Sequence, residues 1–282
     1  MTLREDAINV LKETSRTFYI PIVRLPGELQ DAVASAYLCM RAIDEIEDHP
    51  ELDGSTKANL LTTVSQALQT GRDGAEFAGS FALSGEYRDL LPEVTLRIAD
   101  WSALAPAAIA PRVWDATAAM ADRMAYWAAN GWNVQTEADL DRYTFSVAGA
   151  VGLLLSDLWS WYDGTRTDRI HAIGFGRGLQ AVNILRNHTE DLERGVDLYP
   201  TGWDQAQVLA YARRNLMQAD QYVAVLPAGP VLDFCNIPLA LAYATLEALA
   251  RGEVKLDRAM VLQVLAQLES QAGDAREQTA GR

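Results

Sequence analysis

Two segments of this chain carry polar groups along one stripe of an otherwise apolar helix, and that pattern restricts the fold more than any other feature. In the first, Tyr37, Arg41, Asp44 and Asp48 recur at steps of four, three and four, which is one helical face. In the second, Gly176, Gln180, Asn183, Asn187 and Asp191 follow the same rhythm. A polar stripe normally faces solvent. Here the other faces of the first helix carry Val33, Ala36, Leu38, Cys39, Met40, Ala42, Ile43 and Ile46, so no wide side is left for water. Phe175, Leu179, Val182, Ile184 and Leu185 wrap the second helix in the same way. Both helices are therefore expected to be buried. Unpaired buried carboxylates are costly, so the stripes should face each other, a metal ion or a wet cavity.

The rest of the chain also reads as helical. Helices are predicted near 4–14, 28–48, 55–70, 87–104, 112–130, 137–159, 167–192, 204–223, 235–251 and 257–271, with short Gly or Pro breaks and no strand-like alternation. Gly71 to Gly85 is the longest predicted loop, and 269–282 reads as a frayed polar tail. No interior linker or fixed-period repeat divides the sequence, so one all-α bundle over 1–282 is expected. A net charge of −14 argues against nucleic acid as a partner. Two widely spaced cysteines, a charged N-terminus and no apolar run near 18 residues point to a cytoplasmic protein without a membrane span. Weak membrane association with a lipophilic product is compatible with this reading.

Aspartates four apart put two hard oxygen donors side by side, and two such helices facing each other can hold divalent cations. Magnesium suits that donor set, because it takes a few carboxylates together with waters and substrate phosphate oxygens. Zinc suits it poorly: Cys39 and Cys235 are far apart, and His49, His171 and His188 make no ligand-spaced pair. His188 is expected on the solvent side of its helix. Basic groups accompany the acids: Arg41, Arg16 within Ser15-Arg16-Thr17 ahead of Phe18, Arg186, Lys255 and Arg258. Metal ions and arginines together stabilise the charge of a departing diphosphate. The small residues of Tyr143-Thr-Phe-Ser-Val147-Ala148-Gly149-Ala-Val151-Gly152 suit tight helix packing, or else the close approach of another molecule.

With these pieces assembled, the chain resembles the squalene/phytoene synthase family nearly end to end. The matching motifs are Ser15-Arg16-Thr17-Phe18, Tyr37 and Arg41 ahead of Asp44-Glu-Ile-Glu-Asp48, Tyr143 ahead of Val147-Ala-Gly149-Ala-Val-Gly152, Gln180-Ala-Val-Asn183-Ile-Leu-Arg186, and Glu190-Asp191. Five motifs in the family's order are far more specific than any one alone. The resemblance implies an isoprenoid-synthase bundle around a central cavity. In it Asp44, Asp48 and Asp191 would hold Mg2+, with Asn183 and Asn187 assisting. Ser15, Arg16, Thr17, Tyr37, Arg41, Tyr143, Arg186, Tyr243 and Arg258 would meet diphosphate, and Tyr143 is a candidate proton relay. Phe18, Trp127, Val147, Ala148, Val151, Gly152 and Gln180 would line the pocket. The donor would be a C5 to C20 allylic prenyl diphosphate, ionised and attacked by a carbon nucleophile while apolar walls exclude water.

Two departures bear on which nucleophile. Family members usually carry Asp at both ends of the second motif, whereas this chain has Asn187, which keeps an oxygen donor but loses a charge. Large side chains also gather: Trp127 and Trp132 flank Asn130-Gly131, Met120 and Met124 precede them, and Trp159 and Trp161 follow Gly152. These tryptophans are either core or walls that shorten a tunnel and stack on a flat acceptor. The departures favour transfer of one prenyl group to a small aromatic acceptor, carbazole- or indole-like, in secondary metabolism. Head-to-head condensation of two prenyl diphosphates, cyclisation of one, and a non-catalytic isoprenoid-binding bundle are the alternatives.

Overall fold

The structure, a computed structural model, describes residues 2–15, 17–70, 85–253, 256, 259–268 and 270. Helices α1 (Leu3–Thr14), α2 (Tyr19–Val23), α3 (Gly27–Glu47) and α4 (Gly54–Thr70) lead into three short ones, α5 (Gly85–Arg88), α6 (Glu93–Leu96) and α7 (Ile98–Ala103). Then come α8 (Ala110–Ala129), α9 (Glu137–Thr144), a π-helical turn (Phe145–Gly149), α10 (Ala150–Asp163), α11 (Arg169–Glu193), α12 (Gln205–Ala224), α13 (Pro230–Ala250) and α14 (Ala259–Leu268). No strand occurs among the described residues. The all-α expectation holds.

Local chemistry sets many of the ends. Thr2 with Glu5, Thr136 with Asp139, and Asp204 with Gln207 form reciprocal capping boxes that satisfy the free N–H groups of α1, α9 and α12. Asp168 accepts from the N–H groups of Ile170 and His171 to start α11. Gly164, at φ 79°, lets α10 stop in the left-handed conformation.

Some expectations need correction. The single helix predicted over 87–104 is broken at Pro92, which caps α6 from an extended backbone. The short α2 around Pro21 was not anticipated. The predicted 137–159 helix contains the π turn and runs on to Asp163. Helix α13 begins at Pro230 and accommodates Pro238 in its interior. It is also long and apolar enough to cross a membrane, with mean hydropathy 1.2, against the expectation that no run comes near that length. Within the bundle 61% of that window is buried. The loop over 71–84, the tail over 271–282, and Arg16, Lys255 and Arg258 lie outside the described residues.

Helix α3 runs through the core. Leu29, Leu38, Cys39, Ala42, Ile43 and Ile46 are fully buried. Its neighbours are pinned by hydrogen bonds as well as by packing: Ser35 Oγ donates to the Trp101 carbonyl at 2.7 Å, and Thr95 Oγ1 to the Ala42 carbonyl at 2.9 Å. Helix α11 lies along α12 on one side and against α10 and the π turn on the other. Glycine permits that second contact. A Cβ on Gly176 would sit 2.1 Å from the Ala148 carbonyl oxygen, and one on Gly152 2.1 Å from that of Ala172. The small residues around Gly149 thus serve helix packing. A side chain at Gly152 would collide with the α11 backbone, although the residue itself stays partly exposed.

Candidate active site

On α3 the side chains left partly exposed toward its C-terminal end are Tyr37, Arg41, Asp44 and Glu45, followed by Asp48 at the cap, so the stripe is the one face of that stretch not fully packed. Arg41 donates to Asp44 Oδ2 at 2.5 Å and also to Glu45. Its Nε is buried without a hydrogen-bond partner. Ser15 and Phe18 lie beside this stripe. Ser15 Oγ accepts from the Phe18 N–H at 2.9 Å and hydrogen-bonds Tyr37, and the Phe18 ring lies 5.7 Å from that of Tyr37.

One carboxylate was missed in the sequence. Glu47, three residues beyond Asp44, is only 7% exposed, and oxygens of Asp44, Glu47 and Asp48 come within 4.8 Å of one another. The signal was present, since i and i+3 share a helical face. Burial, and then the charge of Asp48, push Asp44 up to about 7. Burial, then Asp48 and Asp44, push Glu47 up to about 8, although the Trp132 indole N–H donates to it and opposes the shift. Three crowded carboxylates with only oxygen donors fit a hard divalent cation, which would remove their repulsion.

The second stripe is poorer in charge. Asn183 Nδ2 donates to Gln180 at 3.4 Å, and Asn187 Oδ1 accepts from Arg186 Nε at 3.0 Å. Asp191 is buried, and burial raises its pKa above the ordinary carboxylate value. The two stripes are joined by Arg194, a second residue missed in the sequence. Its guanidinium donates to Asp48 Oδ1 at 2.6 Å and to Asp191 Oδ1 at 2.5 Å. Tyr143 lies where both stripes act on it. Burial raises its hydroxyl pKa, and the charges of Glu47, Asp48, Asp44 and Asp191 raise it further.

Other candidates have contacts of their own. The Tyr243 hydroxyl donates to Asp220 on α12 at 2.6 Å. His188 is not simply solvated, because its ring stacks on Tyr199 at 3.8 Å. Val147, Ala148 and Val151 are partly exposed near the π turn. The large side chains behave mostly as core. Met120 and Met124 are buried, and Trp159 is fully buried edge-on against Phe234. Trp127 is 4% exposed, donates to Ser146 Oγ at 3.3 Å and packs edge-on behind Tyr143 at 5.4 Å. Trp132 is engaged by Glu47. Trp127 and Trp159 are thus buried and present no face on which an aromatic acceptor could stack, whereas Trp132 and Trp161 each keep part of their surface exposed.

Comparison with known proteins identifies the family. A sequence model described as squalene/phytoene synthase matches residues 11–203. The chain is 27% identical to squalene synthase of Schizosaccharomyces pombe over 91% of its own length and 63% of that protein. It is 30% identical to squalene synthase of Eremothecium gossypii over 84% of its length and 60% of the relative. It therefore spans less than two thirds of either relative. A solved ligand complex of TcSQS superposes with a TM-score of 0.76 at 25% identity, covering 94% of this chain and 86% of that one. By its matched residues and its all-α architecture, the chain belongs to the squalene/phytoene synthase family.

Proposed function

We propose that this chain is a Mg2+-dependent, diphosphate-releasing prenyltransferase that joins two prenyl diphosphates head to head. The observation that carries the reading is the carboxylate cluster of Asp44, Glu47 and Asp48, held across from Asp191 in a chain that matches the family over residues 11–203. The named relatives, squalene synthases, favour this reaction over transfer to an aromatic acceptor.

Asp44, Glu47, Asp48 and Asp191 would hold the cation, with Asn183 and Asn187 as neutral oxygen donors. When bound, the ion supplies Lewis-acid stabilisation of the leaving diphosphate. Arg41 and Arg186 add guanidinium donors to the same anion, and the unpartnered Nε of Arg41 is one donor still unused. The Tyr143 hydroxyl stays protonated in the field of the carboxylates and can donate to a developing negative charge. The buried faces of α3 and α11 keep water from the reacting carbons.

Transfer of one prenyl group to an aromatic acceptor is the second reading, favoured by one observation. Asn187 leaves Asp191 and Glu190 as the acids of the second motif, and the oxygen of Asn187 is already engaged by Arg186. Incubation with Mg2+ and a radiolabelled C15 or C20 allylic diphosphate alone separates the two. A C30 or C40 product supports head-to-head joining. Donor consumption only after a carbazole or indole is added supports the second reading. Absence of Mg2+-dependent diphosphate binding by calorimetry would defeat both.

A further inference from the structure

Trp132 has a backbone that core packing alone does not call for. Among the described residues it is the one non-glycine at positive φ, 49°, where a bulky L side chain is seldom found. It follows Gly131, at φ 62°, and its N–H returns to the Trp127 carbonyl at 3.0 Å to close the end of α8. That turn aims the indole N–H at Glu47, which accepts from it. From α4, Lys57 places Nζ 5.0 Å from the centroid of the indole, and Lys57 is itself only 8% exposed. Three elements thus converge on one carboxylate: α3 with Glu47, α4 with Lys57, and the turn after α8 with Trp132. An apolar side chain in an ordinary conformation would fill the space. A donor-bearing ring in an uncommon backbone conformation, pressed by an ammonium, does more than fill it.

We propose that Trp132 is a positioning residue for the cation site: its indole N–H fixes one oxygen of Glu47 and leaves the other for the ion, while Lys57 holds the ring in place. The proposal rests on the reading of Asp44, Glu47 and Asp48 as cation ligands. Groups that orient metal ligands typically change affinity 10- to 100-fold when lost.

The test is Mn2+ binding, with Mn2+ as a paramagnetic stand-in for Mg2+, followed by the fall of the free-ion EPR signal on the full chain. Trp132→Phe keeps a ring and loses the donor, and is expected to weaken binding about 10-fold or more. Trp132→His keeps an N–H donor and tolerates positive φ, and is expected to stay within about 5-fold of the wild type. Unchanged binding by Trp132→Phe overturns the proposal, as does a His variant as weak as the Phe variant, which would mean that ring volume alone matters. Should the Phe variant fail to fold, the folded His variant decides by the same limits. Wild-type protein that binds no Mn2+ overturns the cation reading and this proposal with it, whereas wild-type binding indifferent to Trp132 overturns this proposal alone.

Discussion

Glu47→Gln should stabilise the metal-free protein at alkaline pH and leave it unchanged at acid pH. The Glu47 carboxyl sits at about 8 in the folded chain, above its ordinary 4.5, because it is buried beside Asp48 and Asp44. Between those values the native state keeps a proton that the unfolded chain has released. The stability tied to that proton is full below about pH 4.5 and is lost as pH rises through about 8. One pKa unit is about 1.4 kcal/mol, so at pH 8 the folded chain carries a penalty of up to roughly 4 kcal/mol that glutamine avoids. The amide oxygen of the glutamine would still accept from Trp132. In a chain of 282 residues, 1 kcal/mol moves the melting temperature by roughly 2 °C. Melts in EDTA at pH 5 and pH 8 should therefore show variant and wild type within about 2 °C at pH 5 and the variant about 8 °C higher at pH 8. Saturating Mg2+ should reverse the order at pH 8, since it relieves the wild-type repulsion and finds a weaker site in the variant. A wild-type-minus-variant difference that stays flat between the two pH values would refute the reasoning.

Gly176→Ala would drive a methyl to 2.1 Å from the Ala148 carbonyl oxygen and 2.8 Å from Gly149 Cα, both backbone atoms. The cost of forcing α11 off the π turn should exceed the gain of about 1 kcal/mol in helix propensity, for a net loss of about 2 kcal/mol by urea melts. Arg194→Gln removes donors to Asp48 and Asp191 at a partly exposed position, so calorimetry in EDTA should show a loss of about 1 kcal/mol. Asp44→Asn should lower Mg2+-dependent turnover by about 100-fold or more in a radiolabelled-product assay, and near-normal turnover would remove Asp44 from the metal site. Asn187→Asp should fold normally by circular dichroism and need less Mg2+ for half-maximal rate, by roughly several-fold.

The long helices were legible because apolar spacing, capping residues and breakers act within a few positions. The ends of α1, α4, α11 and α12 fall within a residue or two of those predicted. The errors lie where distant contacts compete with local preference. The segment over 87–104 is cut at Pro92 and then held in pieces by contacts with α3, and the π turn allows the close approach of α11. At the site, the sequence marked Asp44, Asp48 and Asp191 by their stripes. It did not mark Glu47, the buried member of the cluster, to which Trp132 donates from 85 residues away. Nor did it show that Arg194 clasps Asp48 across 146 residues, or that Trp127 and Trp159 are core.

By itself, then, the sequence determined the helical class, the two polar stripes, the family and the shortage of charge in the second motif, because each is written in spacing along one helix or in the order of motifs. Only the tertiary structure decided which carboxylates share one field, which arginine joins the stripes and which aromatic side chain supports the site. Hydrogen bonds and repulsion at a few ångströms depend on how separate helices are brought together, and no periodicity within a single helix encodes that.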